Sequence, residues 1–235
     1  MVPAGAQRRG YNALMFEIPG QRAMFYDYPD LFFRPDAEVP IRYVVDYALS
    51  RPEVDSNRVA LIGASFGGYF GPRAAAFEKR LAAVVALPLF WDIQAMFIEM
   101  LGLDPKKPYP RDLESRLDMS QSFVKLAVTS DFRTRCGYGD ATIAEWLDAL
   151  HEFTLTGHEQ NITCPLLILA GESEFNPAAM EKAKTQWKKA MNNPKSQIRI
   201  GTTAEGGEGH SMVNNLLLKN QIEFDWLDDV LDWKS

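Results

Sequence analysis

The chain has 235 residues, 46% hydrophobic and 24% charged, which suits one sizeable globular core. Its formal net charge of −6 argues against a nucleic-acid partner, which would need a dense basic face. No apolar run approaches the ~20 residues that span a bilayer, and the apolar stretch 13–16 behind Arg8 and Arg9 is too short for a secretion-signal core. Cys136 and Cys164 form no metal-ligand pattern, so the expectation is a cytoplasmic chain with reduced thiols, no metal and no membrane partner. Lys182, Lys184, Lys188 and Lys189, at helical spacing with Glu181, read as a solvated helix face.

Residues 11–16 (YNALMF) are short, apolar and followed by Pro19-Gly20, and read as a buried strand ending in a turn. Over 37–50, Ile41, Val44, Val45, Ala48 and Leu49 recur at helical spacing, and Pro52 stops that helix. A turn at Asp55-Ser56-Asn57 leads into a second buried strand at 59–62. The glycine-rich segment 63–68 and an alanine-rich helix over 69–80 follow, and 81–90 is a third strand candidate. Apolar strands alternating with helices indicate a mostly parallel sheet covered on both faces.

The alternation breaks over 92–160, where helices are expected near 92–101, 112–129 and 141–155. Strands resume at 165–170 and 197–203. A last helix over 212–233 is expected to bury Val213, Leu216, Leu217, Phe224, Leu227 and Leu231 on one stripe. A helical block inside an alternating pattern reads as a cap, giving an α/β core of 1–91 and 161–235 and a helical cap of 92–160.

Gly63-Ala64-Ser65-Phe66-Gly67 fits G-x-S-x-G. The motif alone arises by chance, but here it follows an apolar strand and opens a helix, the context of a nucleophile elbow. A strained strand-to-helix turn exposes the serine hydroxyl, small neighbours let backbone approach closely, and the Phe66 N–H can stabilise an oxyanion at the helix start. The plain alternative is a glycine-rich packing turn; no nucleotide-loop pattern fits.

Serine needs a base, and the chain has three histidines. His151 falls in an expected cap helix and reads as structural; His158 lies in a polar segment and reads as surface. His210 ends Gly206-Gly207-Glu208-Gly209-His210, between the last strand and the last helix, where a Ser…acid…His order puts the base. The acid should follow the strand at 165–170. That loop has no aspartate; Glu174 is preferred and Glu172 kept in reserve, against the alternative that both are solvated loop carboxylates. Trp91, Met96, Phe97 and Trp146 are candidate substrate-lining residues, the alternative being plain packing between helices.

With these residues in view, the chain resembles the cap-bearing serine α/β-hydrolases of fungal and actinobacterial secondary metabolism, including polyketide-shortening and fusarin- or cytochalasan-pathway members. The resemblance rests on Arg9-Gly10-Tyr11-Asn12, Pro19-Gly20-Gln21, Arg34-Pro35-Asp36, Arg51-Pro52-Glu53-Val54-Asp55, Gly67-Gly68-Tyr69, the run from Pro72 to Glu78 (PRAAAFE), and Gly171-Glu172. It implies an α/β-hydrolase fold with a helical cap, Ser65 as nucleophile, His210 as base and the Glu174 position as acid. The family usually has aspartate there, and usually glycine where this chain has Arg22.

Family members also carry, before the 11–16 strand, a long region ending in a strand and a His-Gly-Gly-type loop that supplies a second oxyanion donor. The expectation is therefore a fold with its first strands missing, its sheet either re-paired across the gap or left with an exposed edge that would favour homo-oligomer formation. The implied function is hydrolysis of an acyl, lactone or 1,3-dicarbonyl group of a small, polyketide-like metabolite without a cofactor. A broad-specificity esterase or peptidase, or a non-catalytic relative, are the alternatives.

Overall fold

The computed structural model describes residues 2–104, 107–117 and 131–233. In chain order its elements are α1 (Val2–Arg8), α2 (Arg22–Asp27), α3 (Glu38–Leu49), β1 (Ala60–Ala64), α4 (Gly67–Phe77), β2 (Ala83–Leu87) and α5 (Ile93–Met100). They continue with α6 (Asp131–Arg135), α7 (Ile143–Ala149), β3 (Leu166–Gly171), α8 (Pro177–Ala190), β4 (Gln197–Gly201) and α9 (Leu216–Val230). Most of the helix expected over 112–129 lies outside the described residues; within them Leu113–Ser115 forms one 3-10 turn.

The chain divides into two compact units: Met1–Phe16, Ala37–Trp91 and Leu155–Ser235 form one, and Glu17–Asp36 with Asp92–Thr154 form the other. The first holds a four-stranded, all-parallel sheet in the order β1-β2-β3-β4. β2 and β3 are buried along their whole length, which explains their unbroken apolar sequences: helices cover both faces, so no alternate position meets water. On one face Val85, Leu87, Leu167 and Leu169 pack with Phe224 and Leu227 of α9 and with Leu231 just after it. Each such large side chain contributes ~1.5–3 kcal/mol by burial. On the other face Gly71 of α4 lies close to Val84 and Leu61, where a Cβ would still be in ordinary contact. The strand ends are in step, Ala64 opposite Leu87 and Gly171 opposite Gly201, so the loops leaving β1, β3 and β4 emerge at one end of the sheet.

Two expectations are corrected. Residues 11–16 form no strand: among the described residues β1 has no partner on its outer side, and Leu14 and Met15 are 48% and 74% exposed. An apolar run becomes a strand only when a neighbour takes its backbone groups. The chain around it is held instead by α9 and the residues that follow it. Tyr11 Oη donates to Asp228 at 2.7 Å, Arg9 pairs with Asp228 at 2.7 Å, and Trp233 Nε1 donates to the Arg9 carbonyl at 2.8 Å.

The last helix starts later than its apolar pattern suggested. Ser211 and Met212 lie in the left-handed region, at φ 53° and 52°, which breaks the helix, and the Asn215 side chain caps a new start by accepting from Leu218 N–H. Val213, Leu216 and Leu217 are consequently exposed rather than buried, while Phe224, Leu227 and Leu231 are in the core.

The second unit is helical. Asp92 caps α5, and Thr142 with Glu145 forms a capping box at α7. Ile93 N–H donates to the Phe153 carbonyl at 3.0 Å, and Gln94 reaches the Leu147 carbonyl at 2.9 Å. Phe97 packs edge-on to Trp146 at 4.7 Å and against Phe132 at 5.5 Å. Glu17–Asp36 joins this unit because Phe33 packs on Phe132 at 5.5 Å while its N–H donates to the Arg135 carbonyl at 2.7 Å. No described helix is long and apolar enough to cross a membrane.

Candidate active site

Ser65 sits between β1 and α4 in the left-handed region, at φ 55°, with its side chain exposed. A non-glycine residue there is strained and is held by its surroundings. Its N–H donates to the Leu87 carbonyl at 2.7 Å, and its carbonyl accepts from Gly68 N–H at 2.7 Å. Two glycines make the turn sterically feasible. A Cβ on Gly63 would lie 2.0 Å from the Gly67 carbonyl oxygen, and one on Gly68 would lie 1.7 Å from that of Pro88. Gly67, the last glycine of the motif, has nothing within 4 Å of its Cβ position, so the close approach belongs to its neighbour Gly68.

Pro72 inside α4 has no N–H to give the Gly68 carbonyl, and that carbonyl accepts from Phe90 N–H at 3.3 Å instead. The substitution fixes the segment after β2. Phe90 then lies nearly parallel to the His210 ring at 6.5 Å, with Phe175 edge-on to Phe90 at 6.4 Å.

His210 opens the 3-10 turn His210–Met212 beyond β4. Its Nε2 lies 3.0 Å from Ser65 Oγ, and its Nδ1 is hydrogen-bonded to Glu174 Oε1. The His210 side chain is 52% exposed, whereas that of Glu174 is 3% exposed, so the carboxylate is shielded and the imidazole is open. The Glu174 hydrogen bond raises His210 above its ordinary value of 6.5, opposed by burial. The second carboxylate oxygen, Oε2, accepts from Ser211 N–H at 3.1 Å. The His210 loop can lie so close because Gly171 ends β3: a Cβ there would meet the Glu208 carbonyl oxygen at 2.0 Å.

The structure separates the two candidate acids. Glu172 turns away, accepting from the N–H and the hydroxyl of Thr203, and the hydroxyl bond lowers its pKa. Glu174 alone meets the imidazole. Phe66 follows Ser65 as the N-cap of α4, so its amide stands at the helix start.

Of the four expected lining residues, Trp91 belongs to the first unit and Met96, Phe97 and Trp146 to the second. Trp91 is 8% exposed and donates from Nε1 to Thr156 Oγ1 at 3.0 Å. Trp146 is fully buried and Phe97 nearly so, packed edge to face within the core of the helical unit, and Met96 is half-buried on the same helix as Phe97. The other two histidines are elsewhere: His151 Nδ1 bonds the Asp148 carbonyl, and the His158 ring packs on Phe77 at 5.2 Å. Both cysteines are free, with burial pushing Cys136 up to about 12 and Cys164 to about 11. Sequence reasoning missed Ser211 and the Leu87 carbonyl, neither of which carries a local signal, and it noted Gly171 only as part of the resemblance, without its steric role. Among the described residues no group of three or more His, Cys, Asp or Glu side chains could hold a metal ion.

A parallel sheet with a strained serine after one strand, and a carboxylate and a histidine on later loops at the same end, defines the α/β-hydrolase fold. The crystal structure of the 2,6-dihydroxy-pseudo-oxynicotine hydrolase shares it, at a TM-score of 0.65 and 20% identity over 98% of this chain and 55% of that one. No family model matches the chain. Hydrolase ORFZ of Pyricularia oryzae is 30% identical over 249 residues, 97% of this chain and 57% of that protein. The alpha/beta hydrolase gkaG of Penicillium citrinum is 42% identical over 92 residues, 36% of this chain and 21% of that one. The chain belongs to the α/β-hydrolase family represented by such hydrolases of fungal secondary metabolism. It spans little more than half the length of the long-matching curated relatives, at 57%, 57% and 56%.

Proposed function

We propose that the chain is a serine hydrolase in which Ser65 is the nucleophile, His210 the general base and acid, and Glu174 the carboxylate that orients the imidazole. The observation that carries this reading is the hydrogen-bonded series from Ser65 Oγ through His210 to the shielded Glu174, starting from a strained, exposed serine. Ser65 Oγ attacks the substrate carbonyl carbon while His210 Nε2 takes its proton, and Glu174 stabilises the imidazolium. The Phe66 N–H donates to the oxyanion, an interaction for which loss of one donor costs about 10²–10³ in turnover in a well-studied case. Nε2 then protonates the leaving group, and water, activated in the same way, releases the acyl group from Ser65. No step uses a cofactor.

The substrate is an acyl, lactone or 1,3-dicarbonyl group of a small, polyketide-like metabolite; with a 1,3-dicarbonyl, the leaving enolate carbon takes the proton from His210. Membership of a family of fungal hydrolases fits this class, and the Phe90 ring on His210, with Phe175 edge-on to Phe90, suits an apolar or unsaturated group. Two free cysteines, Cys136 buried and Cys164 half-buried, fit a reducing cytoplasmic setting. Hydrolysis of p-nitrophenyl esters of graded chain length tests the reading. Turnover is expected to fall at least ~10³-fold in Ser65→Ala and in His210→Ala. Parent rates in both folded variants would overturn it.

A further inference from the structure

The residue directly after His210 is a serine held in the left-handed region, at φ 53°, and only 2% exposed. Glycine would adopt that backbone without strain, yet the chain places a hydroxyl there and buries it. The hydroxyl donates to the Leu87 carbonyl at 2.7 Å, the same oxygen that accepts Ser65 N–H at 2.7 Å. Both lone pairs of that carbonyl are thereby used, one by the nucleophile's own amide and one by the residue beside the base. The Ser211 N–H donates to Glu174 Oε2 at 3.1 Å.

We propose that Ser211 is a positioning residue of the triad. Its hydroxyl locks the His210 turn to the carbonyl that seats Ser65, and its amide turns Glu174 so that Oε1 faces the imidazole. The proposal rests on the catalytic reading of Ser65, His210 and Glu174.

Removing the hydroxyl leaves Leu87 with the Ser65 amide, so no buried acceptor is orphaned and the effect falls on the placement of the turn. The described side chains bonded to or packed on the His210 ring are Glu174 from the loop after β3, Ser65 from the turn after β1 and Phe90 from the segment after β2; Glu174 is the charged one. A looser turn weakens the Glu174–His210 hydrogen bond and lets His210 fall back toward its ordinary value. A carboxylate freed from the Ser211 amide would become more basic and act the other way, but through a contact that has itself loosened.

Two variants of the full chain test this. Ser211→Ala removes the hydroxyl and keeps the backbone strain; Ser211→Gly removes the hydroxyl and relieves the strain, which guards against misfolding. The midpoint of the His210 ring is followed by NMR titration, with His210→Ala assigning the signal, beside the rate at which a fluorophosphonate labels Ser65. The expected result in both variants is a midpoint lower by roughly half a pH unit and labelling slowed by about three- to tenfold at neutral pH. Folded variants with the parent's midpoint and labelling rate would overturn the proposal. A lowered midpoint in a chain whose labelling never depends on Ser65 supports the coupling and overturns the catalytic reading alone.

Discussion

The turn that carries Ser65 makes a sharp steric prediction about three glycines that look alike in sequence. An added Cβ would lie 1.7 Å from the Pro88 oxygen at Gly68 and 2.0 Å from the Gly67 oxygen at Gly63, while at Gly67 it would meet nothing within 4 Å. A close carbon–oxygen contact is about 3.3 Å, so the first two overlaps exceed 1 Å and fall on backbone that cannot swing aside. Relief requires displacing the turn or the segment after β2, at a cost of ~3 kcal/mol or more for each of Gly68→Ala and Gly63→Ala. Gly67→Ala has open space and the better helix former at the first position of α4, and is expected to be neutral or to stabilise by up to ~1 kcal/mol. Urea unfolding followed by circular dichroism checks this: at ~2 kcal/mol per M, midpoints fall by about 1.5 M or more for Gly63→Ala and Gly68→Ala and do not fall for Gly67→Ala. A Gly68→Ala chain unfolding at the parent's midpoint would refute the steric argument.

The other predictions concern the triad and one structural ion pair. Ser65→Gly removes the left-handed strain at φ 55° and is expected to stabilise by ~1 kcal/mol, a rise of about 2–4 °C in Tm, while abolishing labelling; a lower Tm would contradict the strain. Because Glu174 raises His210 above 6.5 and the base acts when neutral, labelling should rise with pH through a midpoint above 6.5. Glu174→Gln should bring that midpoint down, and an unchanged profile would count against the pairing. By the same linkage, the stability contributed by protonated His210 is fully present below 6.5 and is lost as pH rises through its raised value. Arg73 reaches Glu38 with two hydrogen bonds of 2.9 Å and lies 4.8 Å over the Phe77 ring, joining α3 to α4. Arg73→Ala is expected to lower stability by ~2 kcal/mol, read as a urea midpoint, and a neutral result would show the pair to be dispensable.

The parallel strands were legible because full burial on both faces forces unbroken apolar runs, as at 83–87 and 166–171. The meeting of Ser65 with His210 was foreseeable because each lies in a glycine-rich loop between apolar elements. The choice between Glu174 and Glu172 was not. Both sit in one loop two residues apart, and their fates are set by distant partners, the Ser211 amide for one and Thr203 for the other. Residues 11–16 show the limit of composition, since apolar sequence cannot supply the neighbour a strand needs. The late start of α9 shows another, because its apolar spacing runs through Ser211 and Met212, whose left-handed backbone has no signature in residue type. Phe97 and Trp146 read as lining or as packing from sequence alone; they lie on two different helices, and in the structure they pack on each other.

The central claim, an activated Ser65, is tested most directly by intact-mass labelling with a fluorophosphonate, run beside Ser65→Ala with circular dichroism on both. Ser65 Oγ would attack phosphorus, its proton passing to His210, and fluoride would leave. The account predicts one adduct on the parent chain and none on folded Ser65→Ala. A folded parent chain that takes no label, or a label that persists in Ser65→Ala, would contradict it.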